Sequence, residues 1–253
     1  MGELLTLTGG GMSISFDDAP FVLEEIDFGA APPPSDCTTK RRLKLCGYIV
    51  SEGETEEARR AYLREKRALL CKAVMADGKF TVKRGGRQLS AIADAAPEFS
   101  ADAVFSGSDA DRFTVKAEAE RMFTEPSSSA VFGGNVESGA TEGTLTLSNS
   151  GDEPCGCIIE IGYTDGALNG MTLTLGGKTL TFVSSETGTA SVTVDTRRGR
   201  KAVRTANGMR FDMIESHSGM PVVPCGESSL AWSAQTAGIK SVRVTFVPEF
   251  YAR

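Results

Sequence analysis

Hydrophobic and polar residues alternate along most of this chain, in short runs separated by turn-forming residues. The clearest run is Arg41–Val50, where apolar and polar positions alternate as Leu43, Leu45, Gly47 and Ile49 against Arg42, Lys44, Cys46 and Tyr48. A period of two residues is typical of a β-strand with one buried face. The same reasoning predicts strands over Leu4–Thr8, Met12–Phe16, Phe21–Phe28, Phe80–Lys83, Gln88–Ala93, Glu98–Phe105 and Arg112–Arg121.

One segment has helical spacing instead. Apolar residues recur at intervals typical of a helix with one buried face, at Tyr62, Leu63, Leu69, Leu70, Ala73 and Val74. We predict a helix from about Thr55 to about Met75, ended by Asp77-Gly78. The spacing of Ser51 and Glu54 is that of a capping box, which favours a helix start here. We expect this helix to cover one face of a sheet.

The second half of the chain has an almost purely β pattern. Alternating pairs occur at Leu145/Leu147, Ile159/Ile161, Leu173/Leu175, Leu180/Phe182, Val192/Val194 and Val242/Val244. Turn signals such as Asn169-Gly170 and Asn207-Gly208 separate them at short, regular intervals, which is typical of a β-sandwich or jelly roll. The composition changes at Glu125–Ser129, where we predict a domain boundary. The predicted fold is mostly β: an α+β N-terminal domain (1–128) with one helix, and a C-terminal sandwich (129–253).

Composition limits the possible functions. The 253 residues carry a formal net charge of −6, which argues against a protein whose main task is to bind nucleic-acid phosphates. There are six cysteines, but no export signal precedes them, so we expect reduced thiols. Cys155 and Cys157 are separated by one residue, whereas zinc sites usually space their thiolates two to four residues apart. We interpret this pair as packing residues.

No segment supplies a convincing catalytic pattern. His217 is the single histidine; a serine triad would need it beside Asp195 or Asp212, yet no G-x-S-x-G elbow is present. Gly176-Gly177-Lys178-Thr179 resembles the end of a phosphate-binding loop, but Thr172 stands where that pattern requires glycine, so we predict a hairpin turn. We therefore predict no catalytic, cofactor-binding or metal-binding residue, and no enzymatic activity.

Two alternatives stay open. A carbohydrate-binding module would present exposed aromatic rings on one sheet face, although Trp232, the only tryptophan, lies in an alternating run where a core position is expected. A hydrolase would use His217 or paired carboxylates such as Asp17/Asp18 and Glu24/Glu25. Neighbouring residues on a strand point to opposite faces, so this spacing does not support the hydrolase.

Three stretches resemble the distal tail proteins of long-tailed, siphovirus-type bacteriophages and prophages. They are the basic strand Lys40–Ile49 with the helix after it, the hairpin Phe80–Asp94, and Ser191–Gly199 with its Asp195-Thr196 corner. Pro224–Ser228 resembles the family's late Pro-Gly turn, with Cys225 inserted and Ser228 in place of the usual asparagine. The likeness follows nearly the whole chain in order.

The resemblance implies a homo-oligomer, typically a hexameric ring, formed by the N-terminal domain. This ring would join the tail tube to the tail-tip adhesion proteins around the DNA channel, after assembly in the host cytoplasm. It also implies a galectin-like C-terminal sandwich that points outward. No cofactor, membrane or sequence-specific nucleic-acid partner is implied.

Overall fold

The computed structural model describes residues 5–16, 19–29, 40–100, 109–125, 129–164, 166–186 and 191–251. Several predicted features lie outside these residues: Asp17-Asp18, the proline-rich loop 30–39 with Cys37, the strand extension 101–105, and most of the predicted boundary (126–128). The chain divides into two compact units, unit 1 up to Thr124 and unit 2 over Glu125–Tyr251.

Unit 1 contains nine strands and one α-helix among its described residues. In chain order they are β1 (Leu5–Gly9), β2 (Met12–Ser15), β3 (Phe21–Asp27), β4 (Lys40–Val50), α1 (Glu56–Met75), β5 (Phe80–Arg84), β6 (Arg87–Ala93), β7 (Glu98–Phe99), β8 (Ala110–Glu120) and β9 (Phe123–Thr124). The main sheet has the order β2-β1-β5-β6-β8-β4-β3, and β7 pairs β8 while β9 pairs β6. The predicted strands are therefore present, with β7 shorter in the described residues than Glu98–Phe105.

The centre of this sheet is the antiparallel ladder between β4 and β8, which runs from Lys40 opposite Glu120 to Val50 opposite Ala110. Leu43, Leu45 and Ile49 share the buried face, as their alternation predicted. Gly47 lies on the same face, and a Cβ there would come within 2.8 Å of the Phe113 ring. Glycine at this position lets the aromatic side chain pack directly on the backbone.

Helix α1 lies against this sheet through Leu63, Leu70, Ala73 and Val74, all fully buried. Its N-cap is Thr55, whose hydroxyl accepts a hydrogen bond from the Ala58 N–H at 3.2 Å. The capping-box assignment to Ser51 is therefore wrong: the cap is Thr55, four residues later, because Thr55 is the residue with extended backbone immediately before the helix. The predicted span and end agree with the structure.

An ion pair fastens the helix to the sheet. Arg67 Nε donates to Asp111 Oδ2 at 2.5 Å, and Arg67 Nη2 donates to the Ser100 carbonyl at 2.7 Å. The guanidinium also lies 4.8 Å from the centre of the Phe99 ring. Since the Asp111 side chain is fully buried, this pairing compensates a charge that would otherwise be costly to bury.

Unit 2 is a two-layer β-sandwich. Its strands are β10 (Ala130–Asn135), β11 (Glu142–Asn149), β12 (Cys157–Tyr163), β13 (Thr172–Leu175), β14 (Lys178–Thr181), β15 (Ser191–Asp195), β16 (Ala202–Thr205), β17 (Gly208–Met209), β18 (Gly226–Ser233), β19 (Ile239–Phe246) and β20 (Glu249–Phe250), with a 3₁₀ turn at Phe211–Met213. One sheet has the order β10-β19-β12-β15-β16-β17 and the other β11-β18-β13-β14. The predicted mostly β fold with one helix and a C-terminal sandwich is confirmed.

The sandwich core is built from the inward positions of both sheets. Ile159, Ile161, Val192 and Val244 come from the six-stranded sheet, and Leu173, Leu180 and Leu230 come from the four-stranded sheet. Trp232 joins them with 5% of its surface exposed, so the expected core position is confirmed. No helix in the described ranges is long and apolar enough to cross a membrane.

Candidate interaction surfaces

The residues considered for a serine triad do not come together. His217 is exposed, and its Nδ1 lies 3.1 Å from the hydroxyl of its neighbour Ser216. Asp195 is bound by Arg197 at 2.6 Å, and Asp212 is bound by Arg210 at 3.0 Å. Each carboxylate therefore forms an ion pair with an arginine two residues away, and neither orients the histidine.

The pKa values of the two carboxylates agree with these pairings. Burial acts to raise the pKa of Asp195, but hydrogen bonds from Arg197 outweigh it and hold that pKa below its usual value. Hydrogen bonding by Arg210 likewise lowers the pKa of Asp212. Both groups are stabilised as anions, which is the behaviour of structural ion-pair partners.

Cys155 and Cys157 are fully buried in the sandwich core. Burial raises the pKa of Cys155 to about 12 and that of Cys157 to about 11, so both thiols are protonated at neutral pH. Gly156 between them packs on the backbone of Arg197, where a Cβ would lie 2.4 Å from Cα. Within the described residues no group of three or more His, Cys, Asp or Glu side chains could hold a metal ion.

The Gly176-Gly177 segment is the turn of the β13–β14 hairpin. Both glycines have positive φ, 59° and 71°, and Leu175 pairs Lys178 across the turn. Two consecutive residues with positive φ define the type I′ geometry that suits a twisted hairpin. The predicted hairpin turn is confirmed, and this segment opens no helix that could hold a phosphate.

On the outer face of unit 1, acidic and basic side chains of neighbouring strands form ion pairs. Glu24 pairs Arg112 at 3.0 Å and Glu25 pairs Lys44 at 3.5 Å, so the paired carboxylates of β3 belong to surface ion pairs. Lys40 with Glu118 and Lys116 with Glu98 extend the pattern across β4, β8 and β7. Such a face is well hydrated and suits a polar contact better than an apolar one.

In the described residues of unit 1, the strand path ends at β2 and at β3, and the two ends meet at one point: the Leu23 N–H of β3 donates to the carbonyl of Phe16, the residue after β2, at 3.4 Å. Among the described residues, β2 pairs β1 at one end of the strand path and β3 pairs β4 at the other. Val22 lies on edge strand β3 with 40% of its surface exposed. An edge strand presents unpaired backbone N–H and C=O groups, and these are a template for pairing with another chain.

The outer face of the four-stranded sheet in unit 2 is dominated by hydroxyl groups. Its outward positions are Glu142, Thr144, Thr146, Ser148, Thr172, Thr174, Thr179, Thr181, Glu227, Ser229, Ala231 and Ser233. A groove of about 570 Å³ lies on this face, lined by Glu142, Gly143 and Thr144 of β11, by Thr172 and Thr174 of β13, and by Ala231, Ser233 and the largely buried Trp232 of β18. Register places Thr144, Ala231, Thr174 and Thr179 in one row across the sheet.

The six-stranded sheet shows a different outer face. Arg243, Glu160, Thr193, Arg204 and Met209 form one row across its strands. Among the described residues, no exposed strand position of either sheet is aromatic. Sugar-binding sandwiches stack rings of the protein on the sugar, so this composition counts against the carbohydrate-binding alternative.

Sequence reasoning missed one further feature, a buried arginine in unit 1. Arg41 is 7% exposed, and its guanidinium lies 4.9 Å from the centre of the Phe28 ring and 5.9 Å from that of Phe123. Arg121, 3% exposed, is near enough to act on it electrostatically. The signal was in the sequence: Arg41 has the same strand parity as Leu43 and Leu45, which places it on the buried face.

Comparison with known proteins gives a structural likeness. No family model matches the chain, and no curated protein matches it. The SPP1 Dit protein, described as a paradigm of the hub adsorption apparatus in phages that infect Gram-positive bacteria, aligns with a TM-score of 0.54 and 14% identity. The alignment covers 96% of this chain and 98% of that one.

A chain of the phage p2 baseplate, in its activated conformation with Sr, also aligns, over 98% of this chain and 99% of that one. Its TM-score is 0.39 at 6% identity. The resemblance to distal tail proteins is thus confirmed at the level of the fold: over nearly its whole length, this chain has the fold of SPP1 Dit.

Proposed function

We propose that this chain is a structural protein of a phage tail tip, without enzymatic activity, that assembles into a hexameric ring around the DNA channel. The observation that carries the proposal is the fold shared with SPP1 Dit over both units. The proposed partners are other copies of the chain, the tail tube protein and the adhesion proteins of the tip. Its place would be the virion tail, after assembly in the host cytoplasm.

The surfaces of unit 1 support assembly through the N-terminal domain. Apart from the Leu23–Phe16 hydrogen bond, the edges of β2 and β3 offer backbone groups that a neighbouring copy could pair. Head-to-tail contacts between identical copies close into a ring when the rotation between neighbours is right. The net charge of −6 suits a conduit, because DNA is not retained by an acidic protein.

We further propose that residues 1–128 and 129–253 are separate domains, and that the second is not required for ring closure. The hydroxyl-rich face of the second domain and the groove on it favour the alternative function, carbohydrate binding. The lack of exposed aromatic rings on the described strands makes a stacked sugar the weaker candidate.

The test is particle mass across a concentration series. Six copies of the 26.7 kDa chain would give about 160 kDa by mass photometry or light scattering, the mass of a closed six-membered ring. The series is run alone and with a neighbouring tail component. A chain that stays monomeric under both conditions contradicts the proposal.

A matched pair of variants locates the ring interface. Val22→Lys places a charge on the β3 edge, which is a natural means of blocking edge pairing, and should abolish the large species. Val131→Lys is the control, because Val131 is 60% exposed on β10, an edge strand of unit 2. It should leave the ring intact. Equal effects of both substitutions would contradict closure through the N-terminal domain.

A further inference from the structure

One edge of the four-stranded sheet in unit 2 is covered by its own chain. The edge strand is β14, and the turn of the β13–β14 hairpin fixes which of its backbone groups point outward. Leu175 and Lys178 flank this two-residue turn as the first hydrogen-bonded pair. Pairs alternate along an antiparallel ladder, so Thr179 and Thr181 belong to non-hydrogen-bonded pairs. The N–H and C=O groups of these two threonines therefore point away from β13, toward the outer edge of the sheet.

The segment 215–219, which we call the flap, binds three of these four groups. The N–H of its first residue donates to the Thr181 carbonyl, and the N–H of its last residue donates to the Thr179 carbonyl, both at 2.9 Å. The Thr181 N–H donates to Ser218 Oγ, also at 2.9 Å. The flap thus occupies the place beside β14 that a further strand would take.

The flap covers this edge without creating a new one. The Ser218 N–H donates to the Glu215 carbonyl at 2.9 Å, which makes residues 215–218 a turn. A turn has no extended backbone to offer to another strand, whereas an uncovered edge strand does. Ile214 and Met220, which flank the flap, pack against the sandwich core. The flap is therefore held between two apolar anchors.

A second copy of the chain is the partner that an uncovered β14 would fit. If two β14 strands paired antiparallel about a two-fold axis at Leu180, Thr179 would lie opposite Thr181 of the other copy. The two residues would exchange both N–H···O=C bonds, and the symmetry would repeat the exchange. This pairing would also bind the Thr179 N–H, which in the described residues has no bond to the flap. Threonine side chains opposite each other on neighbouring strands add a favourable contact.

We infer that the flap is an edge guard, an intramolecular contact that keeps β14 from pairing with β14 of a second copy. The inference does not depend on the proposed ring, because every residue that it uses lies in unit 2. Natural sheets cover their edges with loops or helices for this purpose. The cover here rests on three hydrogen bonds, since Glu215, Ser216 and His217 are exposed. Two substitutions are therefore enough to open it.

The test opens the flap in the full-length chain with the double substitution Ser218→Ala/Gly219→Pro. The first change removes the acceptor of the Thr181 N–H. The second removes the donor to the Thr179 carbonyl, and it adds a Cβ that would lie 3.1 Å from Lys178 Cβ. We expect self-association, measured by sedimentation equilibrium at equal concentrations, to be at least about tenfold stronger than in wild type. The new species should be larger than whichever species wild type forms.

Two variants separate the flap from other causes of association. Ser216→Ala removes a hydroxyl of the same turn that lies beside His217 Nδ1, so it should associate like wild type. Thr179→Pro, added to the double variant, removes the N–H that a second copy would bind, which an edge strand tolerates. It should return association to the wild-type level. A double variant with native Trp232 fluorescence that associates like wild type overturns the guard, as does association that survives Thr179→Pro.

Hydrogen exchange decides the question if the double variant does not fold. Ser218→Ala alone removes one bond, and the exchange rate of the Thr181 amide reports whether the flap covers it. We expect this amide to exchange at least about tenfold faster than in Ser216→Ala, because its acceptor is lost. Equal exchange in the two variants would show that the flap does not protect β14.

Discussion

The two units of this chain treat their buried polar groups differently. In unit 2, the Asn149 amide donates to the carbonyls of Glu153 and Val223, while Asp195 and Glu153 accept from Arg197 and Arg198. In unit 1, Asp111 has its arginine, but Arg41 has only aromatic contacts in the described residues. Buried polar groups are normally satisfied, yet both units have exceptions, among them Arg41 Nε and Nη2 in unit 1 and Arg198 Nη1 in unit 2. The difference is that Arg198 still pairs with Glu153 through Nη2, whereas Arg41 pairs with no acidic side chain of the described residues.

The two units also differ in the side chains on their outer surfaces. The four-stranded sheet of unit 2 presents short hydroxyl side chains, whereas β4 and β8 of unit 1 present long side chains in ion pairs. In the described residues of unit 1, β2 and β3 are the end strands of the sheet and contact each other through the Leu23–Phe16 hydrogen bond. These features together favour unit 1 as the assembling part of the molecule. Three further changes test how separate the two units are.

The largest effect is expected from Asp111→Ala in unit 1. It removes the fully buried partner of Arg67, and breaking a buried pair costs about 3–5 kcal/mol; Arg67 keeps its bond to the Ser100 carbonyl, which favours the lower figure. Denaturant unfolding followed by far-UV circular dichroism should show an earlier first transition. Fluorescence of Trp232, the only tryptophan and a unit 2 residue, should be unchanged.

The control for this change is Lys116→Ala on the same strand. Lys116 and Glu98 form an exposed pair, with side chains 53% and 63% accessible, so its loss should cost at most about 1 kcal/mol. If Asp111→Ala shifts the Trp232 transition as much as the dichroism, the two units unfold as one, and the distinction between them fails.

A smaller effect is expected from Gly143→Ala in unit 2. Gly143 lies directly opposite Trp232, and a Cβ there would come within 2.6 Å of the indole Nε1. Overpacking of this kind costs about 1–3 kcal/mol, and Trp232 fluorescence should report the earlier unfolding. Gly134→Ala on β10 is the control, since a Cβ at Gly134 meets nothing within 4 Å. Equal stability of both variants would show that the indole can move aside without cost.

Local patterns in the sequence predicted elements but not their partners. Period-two alternation located β4, and the Gly176-Gly177 pair located a hairpin, because both signals arise from neighbouring residues. The ladder between β4 and β8 joins Lys40 to Glu120, and such a long-range register leaves no trace in either strand alone. The span of the helix was predicted to within one residue, but its cap was assigned to Ser51 because Ser51 and Thr55 are both good caps, and only backbone geometry decides between them.

Prediction of the candidate sites met the same limit, because alternation along a strand shows which side chains are buried but not which residues they contact. Burial of Cys157 and Trp232 followed from alternation, so their core positions could be predicted. The site at Arg41 needs Phe28 and Phe123, which are brought to it by separate strands. Strand parity places Arg41 inside, but only the fold shows that aromatic rings, and no acidic residue of the described chain, meet it there.

The smallest predicted effect concerns alkaline pH and is confined to unit 2. Burial raises the pKa of Cys155 and Cys157 from 9.0 to about 12 and about 11. The stability that these neutral thiols contribute is complete below pH 9 and is lost as the pH rises toward 11–12, because only the unfolded chain ionises in that window. At pH 9, half-ionisation of the unfolded thiols lowers the free energy of unfolding by roughly 0.4 kcal/mol for each thiol. Trp232-detected unfolding at pH 8 and pH 9 should therefore differ more in wild type than in Cys155→Ala/Cys157→Ala, in which every other titrating group is unchanged. An identical pH difference in the two proteins would mean that these thiols ionise as readily in the folded core as in the unfolded chain.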